Sequence, residues 1–325
     1  MDHELERHLP EEYTVGWICA LPAELKAAQV MLDRRHRGFD FVQKQDKNIY
    51  ILGSVGDHNV VLACLPECGT VQSAKAATMM QFAFPSLRFG LMVGIGGGIP
   101  GYNDIRLGDI VVSKPSEQGP GVIQYDMGRS EKDGWVRIGA LSKPPTLLLA
   151  AMNTLAAAYG LEKRISESIQ QSLVKFEDWV DDFKYPGAEL DHLFKANWSH
   201  INENPTCEEC IVNDINKIKR PPRKNPDIPK IHYGNMASGN RVVKNAIERD
   251  TLAKKENVIC FEMEAAGLMD DFPCLVIRGI SDYADSHKNW YWQPYAAVVA
   301  AAYAKRLLLV IPPHAVDQLD HIRSE

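Results

Sequence analysis

Apolar residues along this chain gather in short continuous runs, separated by stretches whose apolar positions recur at helical spacing. Thr14–Ala20 reads as a buried strand, and a helical pattern follows from Leu21-Pro22-Ala23-Glu24 to about Arg35. Asn48–Val55 and Asn59–Leu65 read as paired strands joined by the turn Gly56-Asp57-His58. Ser73–Phe84 is a helix of small residues that stops at Pro85, and Leu87–Gly94 is a buried strand running into the glycine-rich stretch Gly94–Gly101. Leu107–Ser113 is a further strand and Pro145–Tyr159 a helix. Late in the chain the alternation resumes: strand Ile231–Ala237, helix Arg241–Lys255, strand Val258–Cys260, helix Glu264–Met269, strand Cys274–Gly279 and helix Tyr295–Leu308.

Strands alternating with helices predict an α/β fold, with a mixed, mostly parallel central sheet flanked by helices. Between 166 and 230 the pattern lapses. That segment is polar, charged and rich in Pro and Asn, including Pro221-Pro222-Arg223-Lys224-Asn225-Pro226, and reads as an insertion carrying a short helix or two. The expected organisation is a flexible tail over 1–12, one domain over 13–310 with the insertion at about 166–230, and a second tail over 311–325.

Composition narrows the partners. The 325 residues carry a formal net charge of −6, which disfavours nucleic acid or an anionic membrane as the main partner. The polar N-terminal stretch does not read as a targeting peptide, and the longest apolar runs are too short to span a bilayer. Seven irregularly spaced cysteines read as free thiols of a reducing compartment, so a cytoplasmic location is expected.

In a sheet of this kind ligands bind beyond the C-terminal strand ends. Four polar clusters follow predicted strands: Glu24, the turn Cys68-Gly69-Thr70, Glu262-Met263-Glu264, and Ser281-Asp282. Carboxylates converging on one mouth repel one another and are costly to bury unless a ligand uses them; solvated helix-start acids are the plainer alternative for Glu24 and Glu262. The run Gly94-Ile95-Gly96-Gly97-Gly98 fails the dinucleotide test, because Ile99-Pro100-Gly101 and a strand follow where a helix should open. Close backbone approach to a ligand, at Gly96 for example, is its expected use. Cys207 and Cys210, with His200 upstream, form a lone C-x-x-C, too few ligands for a structural zinc site, so no metal is expected. His287-Lys288 reads as a loop beside the site, and Trp290-Tyr291-Trp292 as either a base-stacking lid or a subunit contact.

Five stretches together carry a family resemblance: Val15–Glu24, Cys68–Ala77, Leu91–Ser113, Ala237–Val243 and Phe261–Asp285. Through them the chain resembles the nucleoside phosphorylase/uridine phosphorylase superfamily. It is most similar to the methylthioadenosine/S-adenosylhomocysteine nucleosidase branch and to the nucleosidase-like domains of large fungal proteins. The resemblance implies that Asp282 is the general acid at purine N7, that Glu264 holds the ribose hydroxyls and stabilises an oxocarbenium-like transition state, and that Met263 packs on sugar and base. It also implies that main chain at Val242 and Val243 reads the purine edge, that Ser238 and Asn240 line the pocket with Glu262, Gly69 and Thr70, and that Arg278 holds the Asp282 loop.

Phosphorylases of this superfamily bind phosphate with an arginine and a serine where this chain has Met92 and Ile95. Glu24 matches instead the carboxylate that activates water in nucleosidases. The resemblance thus implies a purine nucleosidase acting on adenosine, inosine or guanosine, without cofactor or metal, as a homo-oligomer. A phosphate-dependent phosphorylase and a non-catalytic nucleoside-sensing module are the alternatives, and an NAD-dependent oxidoreductase is disfavoured by the glycine run.

Overall fold

The computed structural model describes residues 5–38, 45–101, 103–132, 134–201, 207, 209–211 and 214–322. In chain order the elements are β1 (Val15–Cys19), α1 (Pro22–Met31), β2 (Arg34–Arg35), β3 (Tyr50–Val55), β4 (His58–Cys64), α2 (Thr70–Ala83), β5 (Phe89–Gly98), β6 (Ile110–Ser113), β7 (Val122–Gln124), β8 (Gly128–Glu131) and β9 (Gly134–Arg137). Then follow α3 (Thr146–Ala156), α4 (Leu161–Leu173), β10 (Ile231–Ser238), α5 (Ala246–Glu256), β11 (Val258–Glu262), β12 (Cys274–Asp282), α6 (Trp292–Leu308) and α7 (Pro313–Asp317).

The main sheet runs β11-β10-β6-β12-β5-β1-β4-β3-β2, with β7 beside β10 and β11 returning to pair with β5. That return closes β5, β12, β6, β10 and β11 into a ring, from which β1, β4, β3 and β2 extend as an open wing. β1 lies parallel to β4 and β5, β12 parallel to β5, and β10 parallel to β6 and β11. β5–β11, β6–β12 and β3–β4 are antiparallel. This is the mixed, mostly parallel α/β architecture that the alternation of elements predicts.

β5 makes the ring possible. The glycine stretch is not a loop: the strand continues to Gly98, parallel to β12 along its length and antiparallel to β11 at its end. A Cβ at Gly96 would stand 2.8 Å from Cys260 Sγ and 3.0 Å from the Phe261 carbonyl oxygen. The space its missing side chain leaves is therefore filled by β11, which corrects the reading of Gly96 as making room for ligand. A similar approach seats α6. A Cβ at Gly279 would collide with the Ala296 carbonyl, and the alanine-rich helix, buried on nearly every face, packs over β12 and β5.

Several boundaries depart from the pattern. The first helix ends at Met31, because Leu32 turns extended and Arg34–Arg35 pair with β3. Helix α5 starts at Ala246, not Arg241, because the Asn245 side chain accepts the Ile247 and Glu248 amides as its cap. The stretch after Glu264 forms only one 3₁₀ turn, Ala265–Gly267. The hairpin β8–β9 was not signalled.

The expected insertion boundary at 166 falls inside α4, whose Leu161, Ile165, Ser168, Ile169, Ser172 and Leu173 are buried. The irregular excursion therefore begins after Leu173. It is laid against the molecule by buried polar ties. Arg223 donates to Asp109 at 2.6 and 2.7 Å, Trp292 Nε1 to the Leu190 carbonyl at 3.2 Å, and the Tyr295 hydroxyl to the Asp227 carbonyl at 2.9 Å.

Both supposed tails dock as well. The Arg37 amide bonds the Glu6 carbonyl, and His8 lies on His36. At the other end Ile311 and Val316 are buried, and the Ile322 amide bonds the Leu87 carbonyl. Residues 1–4 and 323–325 of those tails lie outside the described residues, as does Glu208 of the C-x-x-C. Cys207 and Cys210 are buried against Phe194. Among the described residues no group of three or more His, Cys, Asp or Glu side chains is arranged to hold a metal, and no helix is long and apolar enough to cross a membrane.

Candidate active site

Glu24, just after β1, and Glu262 and Glu264, at and just past the end of β11, meet around Arg278 of β12, the strand whose last residue is Asp282. Glu24 lies at the third position of α1, directly after β1, and is buried. Its Oε2 accepts the Ala20 and Leu21 amides at 2.7 and 3.0 Å, and its Oε1 the Ile95 amide of β5 at 2.7 Å. Burial raises its pKa above the usual carboxylate range, against the pull of Arg278 and those three amides. A carboxylate has about four lone-pair positions, so one on Oε1 remains.

Arg278 sits within β12 with its side chain 1% exposed, and it organises the cluster. Its Nη2 donates to Glu262 and, at 2.9 Å, to Glu264, while Nη1 stands 4.0 Å from Glu24 and donates to the Ile95 carbonyl at 3.3 Å. The three carboxylates hold its pKa above the ordinary arginine value despite burial. Arg278 makes none of its hydrogen bonds to Asp282. The expectation that it holds the Asp282 loop is corrected: it gathers the glutamates.

Glu264 accepts the Gly69 amide on Oε1 at 3.3 Å and the Met263 amide and Arg278 on Oε2. Burial pushes its pKa up to about 7, Arg278 opposing and Glu262 and Glu24 adding to the rise. Glu262 has no exposed side-chain surface and accepts the Glu264 and Ala265 amides besides Arg278. It is a support beneath the site, which corrects its reading as a ligand contact. Ser238 is corrected likewise: fully buried, its Oγ accepts the Ala266 amide at 2.9 Å.

Asn240, Gly69 and Thr70 form a second bracket around Glu264. Asn240 Oδ1 accepts the Thr70 amide and hydroxyl, both at 3.0 Å, and the Asn240 amide donates to Asp126 at 2.8 Å. Met263 is half-buried, Val243 packs with Tyr125, Phe261 and Ala284, and Val242 is exposed.

Asp282 ends β12 opposite Gly97 of β5. Its Oδ1 accepts the Ala284 amide at 2.8 Å, and its Oδ2 faces Lys288 Nζ at 3.0 Å and Ser281 Oγ at 3.4 Å. Cys260, from β11, is fully buried, and burial raises its thiol pKa. Beyond Asp282, burial lifts Asp285 to about 6 and lowers His287 to about 4. His287 stacks on Phe194 with ring centroids 4.1 Å apart. The aromatic cluster divides: Trp292 is a fully buried residue of α6, while Trp290 and Tyr291 are exposed.

The reading from sequence missed two functional candidates, Arg278 as organiser and Lys288 as the partner of Asp282. A charge inside the apolar run Cys274–Ile280 was a signal for the first, since a buried guanidinium demands buried counter-charge.

No protein-family profile matches the chain. It is 53% identical over 308 residues, 94% of its length, to a nucleotide-binding leucine-rich repeat (NLR)-like protein of Hyaloscypha variabilis, and it spans 30% of that relative's length. It is 23% identical over 305 residues to a 5'-methylthioadenosine/S-adenosylhomocysteine nucleosidase of Mycobacterium bovis, covering 92% of this chain and 97% of that enzyme. Among solved structures, the futalosine hydrolase of Helicobacter pylori superposes with a TM-score of 0.55 at 19% identity, over 91% of this chain and 97% of that one. The methylthioadenosine/S-adenosylhomocysteine nucleosidase of S. pneumoniae superposes with a TM-score of 0.56 at 17% identity, over 92% and 100%. The fold is thus the nucleoside phosphorylase-like one that the sequence resemblance implies.

Proposed function

We propose that this chain hydrolyses the N-glycosidic bond of purine ribonucleosides, adenosine, inosine or guanosine, to free base and ribose. The observation that carries the reading is the charge count around Arg278: Glu24, Glu262 and Glu264 gather on its one buried guanidinium, in the strand that ends at Asp282. Ionised, these carboxylates outnumber the guanidinium, and such a surplus in a low-dielectric pocket favours a cationic sugar, Glu264 adding its charge only as pH reaches about 7. In this mechanism Asp282 protonates N7 so that the base leaves neutral, and Glu264 holds a ribose hydroxyl. Glu24, its pKa raised by burial, takes a proton from the attacking water.

Water is favoured over phosphate because the Ile95 amide of strand β5 is already bonded to Glu24 and Met92 is fully buried, so a dianion would meet a carboxylate there. Release of base from adenosine, inosine and guanosine, measured with and without phosphate, tests the reading. The expected product is ribose at a phosphate-independent rate; ribose 1-phosphate would overturn it.

A second reading, a nucleoside-binding module without turnover, is favoured by the match to part of a longer NLR-like protein. Saturable nucleoside binding with no base released from any of the three would select it.

A further inference from the structure

Arg249 is a buried arginine whose reach extends beyond its own helix. It stands in the first turn of α5 with its side chain 3% exposed, and its Nε donates to the neighbouring Asp250 at 2.8 Å. Its Nη1 leaves the helix and donates to the Tyr283 carbonyl at 2.8 Å, with the Asp285 carboxylate 3.7 Å away. The Tyr283 carbonyl and the Ala284 amide are the two ends of one planar peptide. That amide is the donor that holds Asp282 Oδ1, at 2.8 Å. A carbonyl that accepts a charged donor makes its own peptide N–H a stronger donor in turn. One rigid plane therefore links the buried guanidinium to the carboxylate.

The peptide needs such a hold. Ala284 is 2% exposed and lies at φ 51°, a left-handed conformation that L residues rarely adopt. The turn is seated against Gly97 of β5, where a Cβ would stand 2.9 Å from Ala284 Cβ and 3.0 Å from Asp282 Oδ1. The other bonds to Asp282 come from the Lys288 and Ser281 side chains, both to Oδ2, and Arg278 bonds the glutamates instead.

We infer that Arg249 is a positioning residue for Asp282, fixing the direction of its carboxylate through the Tyr283–Ala284 peptide. The inference rests on the nucleosidase reading above. It assigns to a helix residue, 33 positions before the acid, the hold on the Asp282 loop that the resemblance implies for Arg278.

The test is a double-mutant cycle on base release from adenosine, inosine and guanosine, with Arg249→Met and Arg249→Lys made in wild type and in Asp282→Asn. Misplacing a reacting group by about 1 Å can cost on the order of 10²-fold. Arg249→Met is accordingly expected to lower kcat at least ~10-fold, with KM held within about twofold. Arg249→Lys keeps the buried charge, which protects the fold, but one nitrogen replaces Nε and Nη1; a fall of at least ~3-fold is expected. In the Asp282→Asn background neither change should slow release more than about twofold, because the acid being aligned is gone. An equal loss in both backgrounds, a raised KM with kcat intact, or wild-type kcat in every variant that keeps its Tm overturns the positioning role and leaves the nucleosidase reading standing. A wild type that releases no base from any nucleoside overturns both.

Discussion

Arg278 and Glu264 are joined by a 2.9 Å hydrogen bond in which both side chains are almost wholly shielded from solvent. Because Glu262 shares the same guanidinium nitrogen, removing Arg278 leaves buried carboxylates without their counter-charge. Truncating one partner of a buried ion pair typically costs about 3–5 kcal/mol. Arg278→Met should lower unfolding free energy by that order in a urea titration. A loss below ~1 kcal/mol would mean that the glutamates are neutralised by protons and not by Arg278.

The raised pKa of Glu264 gives stability a definite pH dependence. Its folded value of about 7 exceeds that of a free carboxyl, so the unfolded chain releases this proton first as pH rises. The stabilisation is complete below the ordinary carboxylate range and is lost as pH climbs through about 7. Asp285, raised to about 6, acts in the same direction, while His287, lowered to about 4, acts in the opposite one. The histidine's contribution is full above its ordinary value and disappears as pH falls through about 4. Urea midpoints of Glu264→Gln measured across this range should fall less steeply towards neutral pH than those of wild type. Parallel curves would remove Glu264 from this role.

Gly96 is a packing requirement. Gly96→Ala drives a methyl against Cys260 Sγ and the Phe261 carbonyl, and overpacking of this kind costs about 1–3 kcal/mol. Adding Cys260→Ala should restore part of the loss, because the carbonyl contact at 3.0 Å remains. Thermal denaturation of the single and double variants checks this; an unchanged Tm in Gly96→Ala would show that β5 and β11 separate freely.

Asp282→Asn preserves the Ala284 contact geometry while removing the acid. Base release is expected to drop roughly 10²–10⁴-fold with little change in Tm. Near-normal turnover would exclude Asp282 from proton transfer.

Much of this architecture was readable from apolar runs. Val15–Cys19 and Cys274–Asp282, buried along almost their whole lengths, are continuous strands because both faces are covered. The strand-end rule named Glu24, Glu264 and Asp282, and the fold places each at or just after a strand end. What escaped depends on contacts distant in sequence. Nothing local in Gly94–Gly98 shows that β11 will return to pair with it, so the strand's continuation past Gly94 went unread. The excursion after Leu173 has too few apolar residues to betray its path and is tied down by pairs such as Arg223 with Asp109, 114 positions apart. One miss was avoidable: Asn245 followed by Glu248 is a helix-start signature, and it marks where α5 begins.

The residue after Asp282 has a further consequence. The buried Tyr283 hydroxyl donates to Asp191, 92 positions earlier in the excursion, and Arg220 from the same excursion grips that carboxylate at 2.8 Å while lying over the Tyr283 ring. The added segment thus serves as a splint on the backbone that presents the acid, and its length and ionic ties cannot drift independently of the strand it braces.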